Sequence, residues 1–294
     1  MIAGASLWGT AGAAQELGAA DAAPWAVAAV RGSIGGGLLL VTAAVIGSWP
    51  GVVAVVRRGP GPAAMAAVAL AVFQLGYLGG IRLSGVALGT LVAIGSAPVW
   101  AGLHAAMGGR APSRRWVIAT VLTVAGTALL VVPGDPEGGA PPTGVALSLV
   151  AGAAYATYAI ASKRLLDRGL PGFATVAVAF PGAGLVLSPL LLFADLTWMT
   201  TATGIAGMVW LTVVATAISY ALFLRGLAGV DAPTATTLTL AEPLMAALLG
   251  VAVVGERFSV LALVGAAVLI LGLALAARAT PRTAPAVDPG EVSS

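Results

Sequence analysis

A chain of 294 residues with 59% hydrophobic and only 9% charged positions, and a mean hydropathy of +1.02, is outside the range of soluble folds. Soluble domains carry roughly 25% charged residues, so the composition is that of an integral membrane protein. The absence of cysteine excludes disulfides, thiolate metal sites and cysteine nucleophiles, and a single histidine, His104, excludes a His-rich metal site.

A span needs about 20 mostly apolar residues. Runs of that kind, broken by proline, glycine and charge, predict ten helices at 1–18, 25–47, 62–81, 84–107, 114–133, 143–162, 173–194, 204–224, 232–254 and 260–278. The first run has no basic residue before it, and Glu16 sits where an apolar stretch should end, so it reads as a retained helix rather than a signal peptide. The polar, Pro-rich stretch 279–294 reads as a disordered cytoplasmic tail.

Charge sets the expected orientation. With both termini cytoplasmic, the inner loops and tail hold Arg57, Arg58, Arg110, Arg114, Arg115, Lys163, Arg164, Arg168, Arg225, Arg278 and Arg282, eleven of the fourteen basic residues. Outer connections keep only Arg82 and Arg257, while Asp21, Asp135, Glu137, Asp195 and Glu256 fall on that side. The positive-inside rule therefore predicts an N-in, C-in protein of the cell membrane. It also accounts for the pI near 9.8 without nucleic acid.

The two halves repeat. Pro98 matches Pro243, Ala101 matches Ala246 and Leu103 matches Leu248; after a one-residue shift Gly109, Ser113 and Gly126 match Gly255, Ser259 and Gly272. Near the start of each half, Trp8-Gly9-Thr10 matches Tyr155-Ala156-Thr157. Five spans per half is an odd number, so the second half is inverted relative to the first. The expected architecture is all-α, with ten transmembrane helices as two inverted five-helix repeats, 1–133 and 134–278, around a central cavity. That arrangement is a mark of secondary transporters.

The stretch Leu240–Gly272 carries Glu242-Pro243 and Gly255-Glu256-Arg257 before a Gly-bearing last helix. In these motifs the chain resembles the drug/metabolite transporter superfamily of the EamA type, over essentially 1–278. The first half departs from the pattern: Ala97-Pro98 keeps the proline without the acid, and Gly109-Arg110-Ala111 replaces Gly-Glu-Arg. Leu7-Trp8-Gly9-Thr10 resembles the family's first helix, and Arg31 falls where members often carry an arginine. The resemblance implies a non-enzymatic, cofactor-free exporter of small metabolites such as amino acids, working by alternating access. Protons are its candidate coupling ion, and monomer and homodimer both stay open. Export of hydrophobic drugs is the alternative. An intramembrane enzyme is the weaker rival, because the aspartates lie in loops or the tail and His104 has no nucleophile partner by spacing.

Candidate substrate-binding residues are the polar groups inside spans. Glu242, an acid at membrane depth beside a proline, reads as a proton or amine site, or as a structural acid hydrogen-bonded or paired with Arg31; the structural reading is preferred. Arg31 reads as a carboxylate site, with an ion pair or outward snorkelling preferred. Trp8, Gln74, Tyr77, Tyr155, Tyr158, Trp210 and Tyr220 are expected to line the cavity, Tyr155 and Tyr158 first because they share a helix face. Trp25, Trp49, Trp116 and Trp198 read as interfacial. Small-residue spacings such as Gly32…Gly36, Gly76…Gly80 and Gly85…Gly89 permit close helix packing.

Overall fold

The computed structural model describes residues 1–19, 22–84, 86–109, 111–131, 141–249 and 259–278. The Gly255-Glu256-Arg257 turn, Asp21, Arg110, Asp135, Glu137 and the tail 279–294 lie outside these residues. The first half contains α1 (Ile2–Trp8), α2 (Thr10–Ala19), α3 (Pro24–Val45), α4 (Trp49–Arg58), α5 (Pro60–Ser84), α6 (Val86–Met107) and α7 (Arg114–Val131). The second contains α8 (Pro142–Leu166), α9 (Gly172–Leu187), α10 (Ala202–Val209), α11 (Ser219–Ala228), α12 (Ala232–Leu238), α13 (Ala241–Leu249) and α14 (Val260–Arg278). A 3₁₀ turn, Ser188–Phe193, continues α9, and a π-helix, Trp210–Ile218, joins α10 to α11.

The protein is an all-α, multi-spanning bundle. Among the described residues, seven helices are long and apolar enough to cross a membrane: Pro24–Val45, Pro60–Ser84, Leu88–Met107, Pro142–Leu166, Gly172–Phe193, Ala202–Ala228 and Val260–Arg278. The remaining expected runs are also helical. α1 and α2 divide at Gly9, α12 and α13 divide at Thr239–Leu240, and α7 opens on Arg114-Arg115.

Helix starts follow local chemistry. Pro24 and Pro142 open α3 and α8, where a missing N–H is harmless. Asp231 accepts from the Thr234 N–H at 2.8 Å to cap α12, and Thr201 accepts from Gly204 at 3.0 Å to cap α10. The repeat-matched serines do the same job in both halves. Ser113 Oγ accepts from the Trp116 N–H at 3.2 Å, and Ser259 Oγ from the Ala262 N–H at 3.1 Å.

One expected loop is a helix. The stretch 48–61 between the second and third runs forms α4, with Val52 and Val55 buried, Trp49 exposed, and Arg57 and Arg58 in its last turn. Its apolar face packs on α9. Ten residues are too few to span, but an apolar face with a basic end suits a helix lying in the interface. At the same end of the bundle, Lys163 donates to the Ala228 carbonyl at 3.1 Å and pairs with Asp167 at 2.8 Å. Arg168 donates to the Arg58 carbonyl, and Arg164 meets His104 Nε2 at 3.1 Å. His104 is thus an exposed surface partner of Arg164. At the opposite end, Asp195 accepts from the Thr197 N–H at 2.9 Å, which holds its carboxyl below the ordinary range.

Without a hydrophobic drive between helices in lipid, close backbone approach at small residues holds the bundle together. Gly32 and Gly36 of α3 face Gly184 and Pro181 of α9, and Gly76 and Gly80 of α5 face Leu147, Ala151 and Ser148 of α8. Gly126 of α7 lies against Gly265 and Leu269 of α14, while Gly272 lies against Ala119 and Thr123. The Gly32…Gly36 and Gly76…Gly80 spacings thus serve helix contacts within the chain. A methyl at Gly126 would strike the backbone of Leu269, and overpacking of this kind costs about 1–3 kcal/mol. Gly126→Ala is therefore expected to lower the melting temperature in detergent, whereas Gly37→Ala, whose methyl meets no atom within 4 Å, leaves it unchanged or raised; equal melting of the two would contradict the α7–α14 crossing.

Candidate functional site

Irregularities in three of the helical runs meet. Gly9 interrupts the first run. A Cβ there would lie 2.8 Å from the Glu242 carbonyl oxygen and 3.0 Å from the Ala246 nitrogen, so glycine is what lets the first run lie flat on α13. Pro243, in the first turn of α13, follows the turn at Thr239–Leu240. Its ring and missing N–H disfavour an unbroken helix through that turn. The widened coil of Trp210–Ile218 is the third.

Between them lies a cavity of about 380 Å³. Its walls include Trp8 and Gln15 from the first run, Val27 and Arg31 from α3, and Phe73, Gln74, Tyr77 and Ile81 from α5. Ile94, Tyr155, Leu211, Tyr220, Thr239 and Glu242 complete it from α6, α8, the 202–228 run and the broken 232–249 run. The lining uses the start of α3 and the end of α5, so the cavity lies toward the end of the bundle where α3 begins and α5 ends. The other half is packed solid around Tyr158, Phe180, Phe223, Leu165 and Leu227, each no more than 1% exposed.

Aromatic rings form the floor. Trp8 lies 4.6 Å from Tyr220 and 6.2 Å, edge to face, from Tyr155; Phe73 lies 5.3 Å from Tyr155 and 5.5 Å, stacked, from Tyr77. These spacings are those of favourable ring pairs. Trp8 and Tyr155, matched in the repeat, are in contact, and Phe73 and Tyr220 stand at the same separation in the chain. The Trp8–Tyr220 contact is therefore the counterpart of the Tyr155–Phe73 contact. The buried Trp8 indole N–H and Tyr155 hydroxyl have no hydrogen-bond partner among the described residues. Tyr77 Oη and Thr90 Oγ1 share a 3.0 Å bond.

The two charged groups of the site are handled differently from expectation. Arg31 neither pairs with Glu242 nor snorkels outward: its Nε donates to Thr216 Oγ1 at 2.6 Å and one Nη to the Ala215 carbonyl at 2.9 Å, both on the π-helix. Thr216 Oγ1 in turn donates to the Leu211 carbonyl at 2.7 Å. The guanidinium is thus held by the wider coil, whose Ala215 carbonyl also accepts from Ser219 Oγ at 2.7 Å. Among the described residues Glu242 makes no side-chain hydrogen bond and the one ion pair is Lys163–Asp167, so Glu242 and Arg31 do not pair directly.

Of the nine expected residues, Trp8, Arg31, Gln74, Tyr77, Tyr155, Tyr220 and Glu242 share the cavity wall. Tyr158 does not: it is wholly buried behind Tyr155, 6.3 Å ring to ring. Trp210 is 44% exposed, its Nε1 donating to Thr10 Oγ1 at 2.9 Å. On a helix, three positions apart is close enough to share a face and still differ in depth, which separates Tyr155 from Tyr158. Phe73, Ile81, Ile94 and Leu211 were missed because they carry no polar atom to mark them; Phe73 alone had a signal, as the repeat counterpart of Tyr220.

A multi-spanning helical bundle around a cavity that mixes rings with opposite charges is the architecture of a membrane transporter. The chain belongs to the EamA-like transporter family, whose model matches residues 142–278. An uncharacterized transporter of Bacillus subtilis (strain 168), YwfM, is 39% identical over 280 residues, covering 95% of this chain and 92% of that protein. A solved crystal structure shares the fold with a TM-score of 0.79 at 20% identity over 95% of both chains. The matched stretch is the half that holds Glu242-Pro243; the half where Ala97 replaces the acid lies outside it. The protein is thus a transporter and not an enzyme.

The cavity can be checked directly because the chain has no cysteine. Gln74→Cys, on the wall, is expected to react with a charged thiol reagent at least about tenfold faster than Ala161→Cys, which is fully buried. Equal rates would mean that the cavity is closed to water.

Proposed function

We propose that the protein is a secondary transporter that exports small amphipathic metabolites, amino acids among them, across the cell membrane by alternating access. The carrying observation is a cavity with walls from both halves of the chain, floored by two repeat-related ring pairs, Trp8 with Tyr220 and Tyr155 with Phe73. In this reading the ten helical runs are ten spans, and 1–133 and 134–278 are inverted repeats. Packing supports the reading. α5 lies on α8 as the 202–228 run lies on the first run, and α3 with α9, like α7 with α14, pairs a helix with its own counterpart. Two such halves can rock about their shared ring floor and open the site to either side.

The basic end, with Arg57, Arg58, Lys163, Arg164, Arg168 and Arg225, faces the cytoplasm. The conformation is then open outward and sealed inward by Tyr158, Phe180 and Phe223. Energy comes from a proton gradient or from the substrate's own gradient, and Glu242 is the acid placed to couple protons.

Release of a panel of labelled amino acids and nucleosides from proteoliposomes tests this. At least one class is expected to leave faster than from protein-free liposomes. An imposed pH gradient is expected to accelerate that release in the wild type and not in Glu242→Gln. Release indistinguishable from protein-free liposomes across amino acids, nucleosides and hydrophobic drugs would reject the reading; an unaltered gradient response in Glu242→Gln would reject the coupling role alone.

A further inference from the structure

The cavity holds a guanidinium and a carboxylate that line one wall system without touching. No Arg31 nitrogen lies within 4.0 Å of a Glu242 oxygen, although the two groups line the same cavity. Opposite charges at membrane depth attract, and each of these two is held by its own element. Arg31 is fixed by Thr216 Oγ1 and the Ala215 carbonyl of the π-helix. Those bonds use two of its five N–H groups, which leaves three for another acceptor. Glu242 is fixed by its place in the first turn of α13, behind the break at Thr239–Leu240, and accepts no hydrogen bond. That turn favours a negative charge through the helix dipole.

We infer that Arg31 and Glu242 form a zwitterion clamp, Arg31 taking the carboxylate and Glu242 the ammonium of an α-amino acid whose apolar side chain lies on the Trp8, Phe73, Tyr155 and Tyr220 rings. This assignment rests on the transporter reading above and narrows its substrate class. A zwitterion satisfies both charges and leaves the cavity neutral. A plain amine would leave the Arg31 guanidinium without its anion, and a plain acid would leave Glu242 without its cation. Sites built to pair a buried group reject analogues that lack the partner. The rings add a flat apolar surface and an attractive face for the ammonium. The Gln74 side chain adds a polar group to the wall. The volume, about 380 Å³, lies within the roughly 300–1,000 Å³ range of small-ligand sites.

The test compares three matched probes on the purified full-length protein in nanodiscs: L-phenylalanine, phenethylamine, which lacks the carboxylate, and 3-phenylpropionate, which lacks the amine. Binding is measured by equilibrium displacement, and wild-type protein is expected to prefer phenylalanine over each by about tenfold or more. Arg31→Gln should bring phenylalanine down to phenethylamine while keeping the preference over 3-phenylpropionate. Glu242→Gln should do the reverse. Each variant's melting temperature is measured alongside; if either fails to fold, Arg31→Lys and Glu242→Asp take their places, with partial loss of the same two preferences expected. Equal binding of the three probes, tighter binding of either fragment, or no binding of any overturns the clamp. The same nanodisc protein moved to proteoliposomes separates the two levels: flux of nucleosides or drugs without flux of amino acids defeats the clamp and leaves the transporter reading standing, whereas no flux of any class defeats both.

Discussion

In hydrocarbon a backbone N–H or C=O has no water to turn to, so each must be satisfied within its own helix or by a neighbour. That constraint makes every departure from regular helix informative, because the freed groups must be answered. Here the departures at Gly9, at 210–218 and at Thr239–Leu240 surround one cavity. The widest of them also carries a side chain from another helix, the Arg31 guanidinium, which donates to Thr216 Oγ1 and to the Ala215 carbonyl. The same bonds fix the position of the positive charge. Structural satisfaction and charge placement are one interaction, and the geometry of the site follows from it.

Two kinds of group furnish the cavity, and they differ in symmetry. The rings come in repeat-related pairs, Trp8 with Tyr155 and Phe73 with Tyr220. The charges do not. Glu242 has Ala97 as its counterpart, and Arg31 has Val178 at the separation that relates the rings. The ring floor presents the same kind of apolar surface from both halves of the chain, whereas the asymmetric pair of charges distinguishes one side of the cavity from the other.

Much of this was legible in the sequence. The all-α, multi-spanning bundle was legible, and seven of the apolar runs are helices of membrane length among the described residues, because the hydropathy signal of a membrane helix is strong and local. Glu242-Pro243 announced a break because proline's effect is covalent and does not depend on context. Ser113 and Ser259, and Gly126 and Gly272, announced a repeat whose members cap and pack alike. What stayed hidden was set by contacts far apart in the chain. Nothing in WLTVVATAI marks a π-helix, since its stabilising partner is Arg31, some 180 positions earlier. Tyr158 and Trp210 looked like wall residues because they carry polar tips, but depth along a shared face is a tertiary property. α4 was missed because ten residues lie below the length that a span search examines.

The wide coil at 210–218 has a consequence for chain length. In an ordinary helix such as α5, removing one residue turns everything beyond it by about 100° and shifts it about 1.5 Å, which would carry a buried face out to lipid. A stretch wound five residues back instead of four contains slack of about that size. Loss of one residue there can be absorbed as a tighter coil, leaving α10 and α11 in their grooves while erasing the seat of the Arg31 guanidinium. The 202–228 run can therefore change length by one residue without changing fold, and the register of its helices and the polarity of the cavity are separately adjustable.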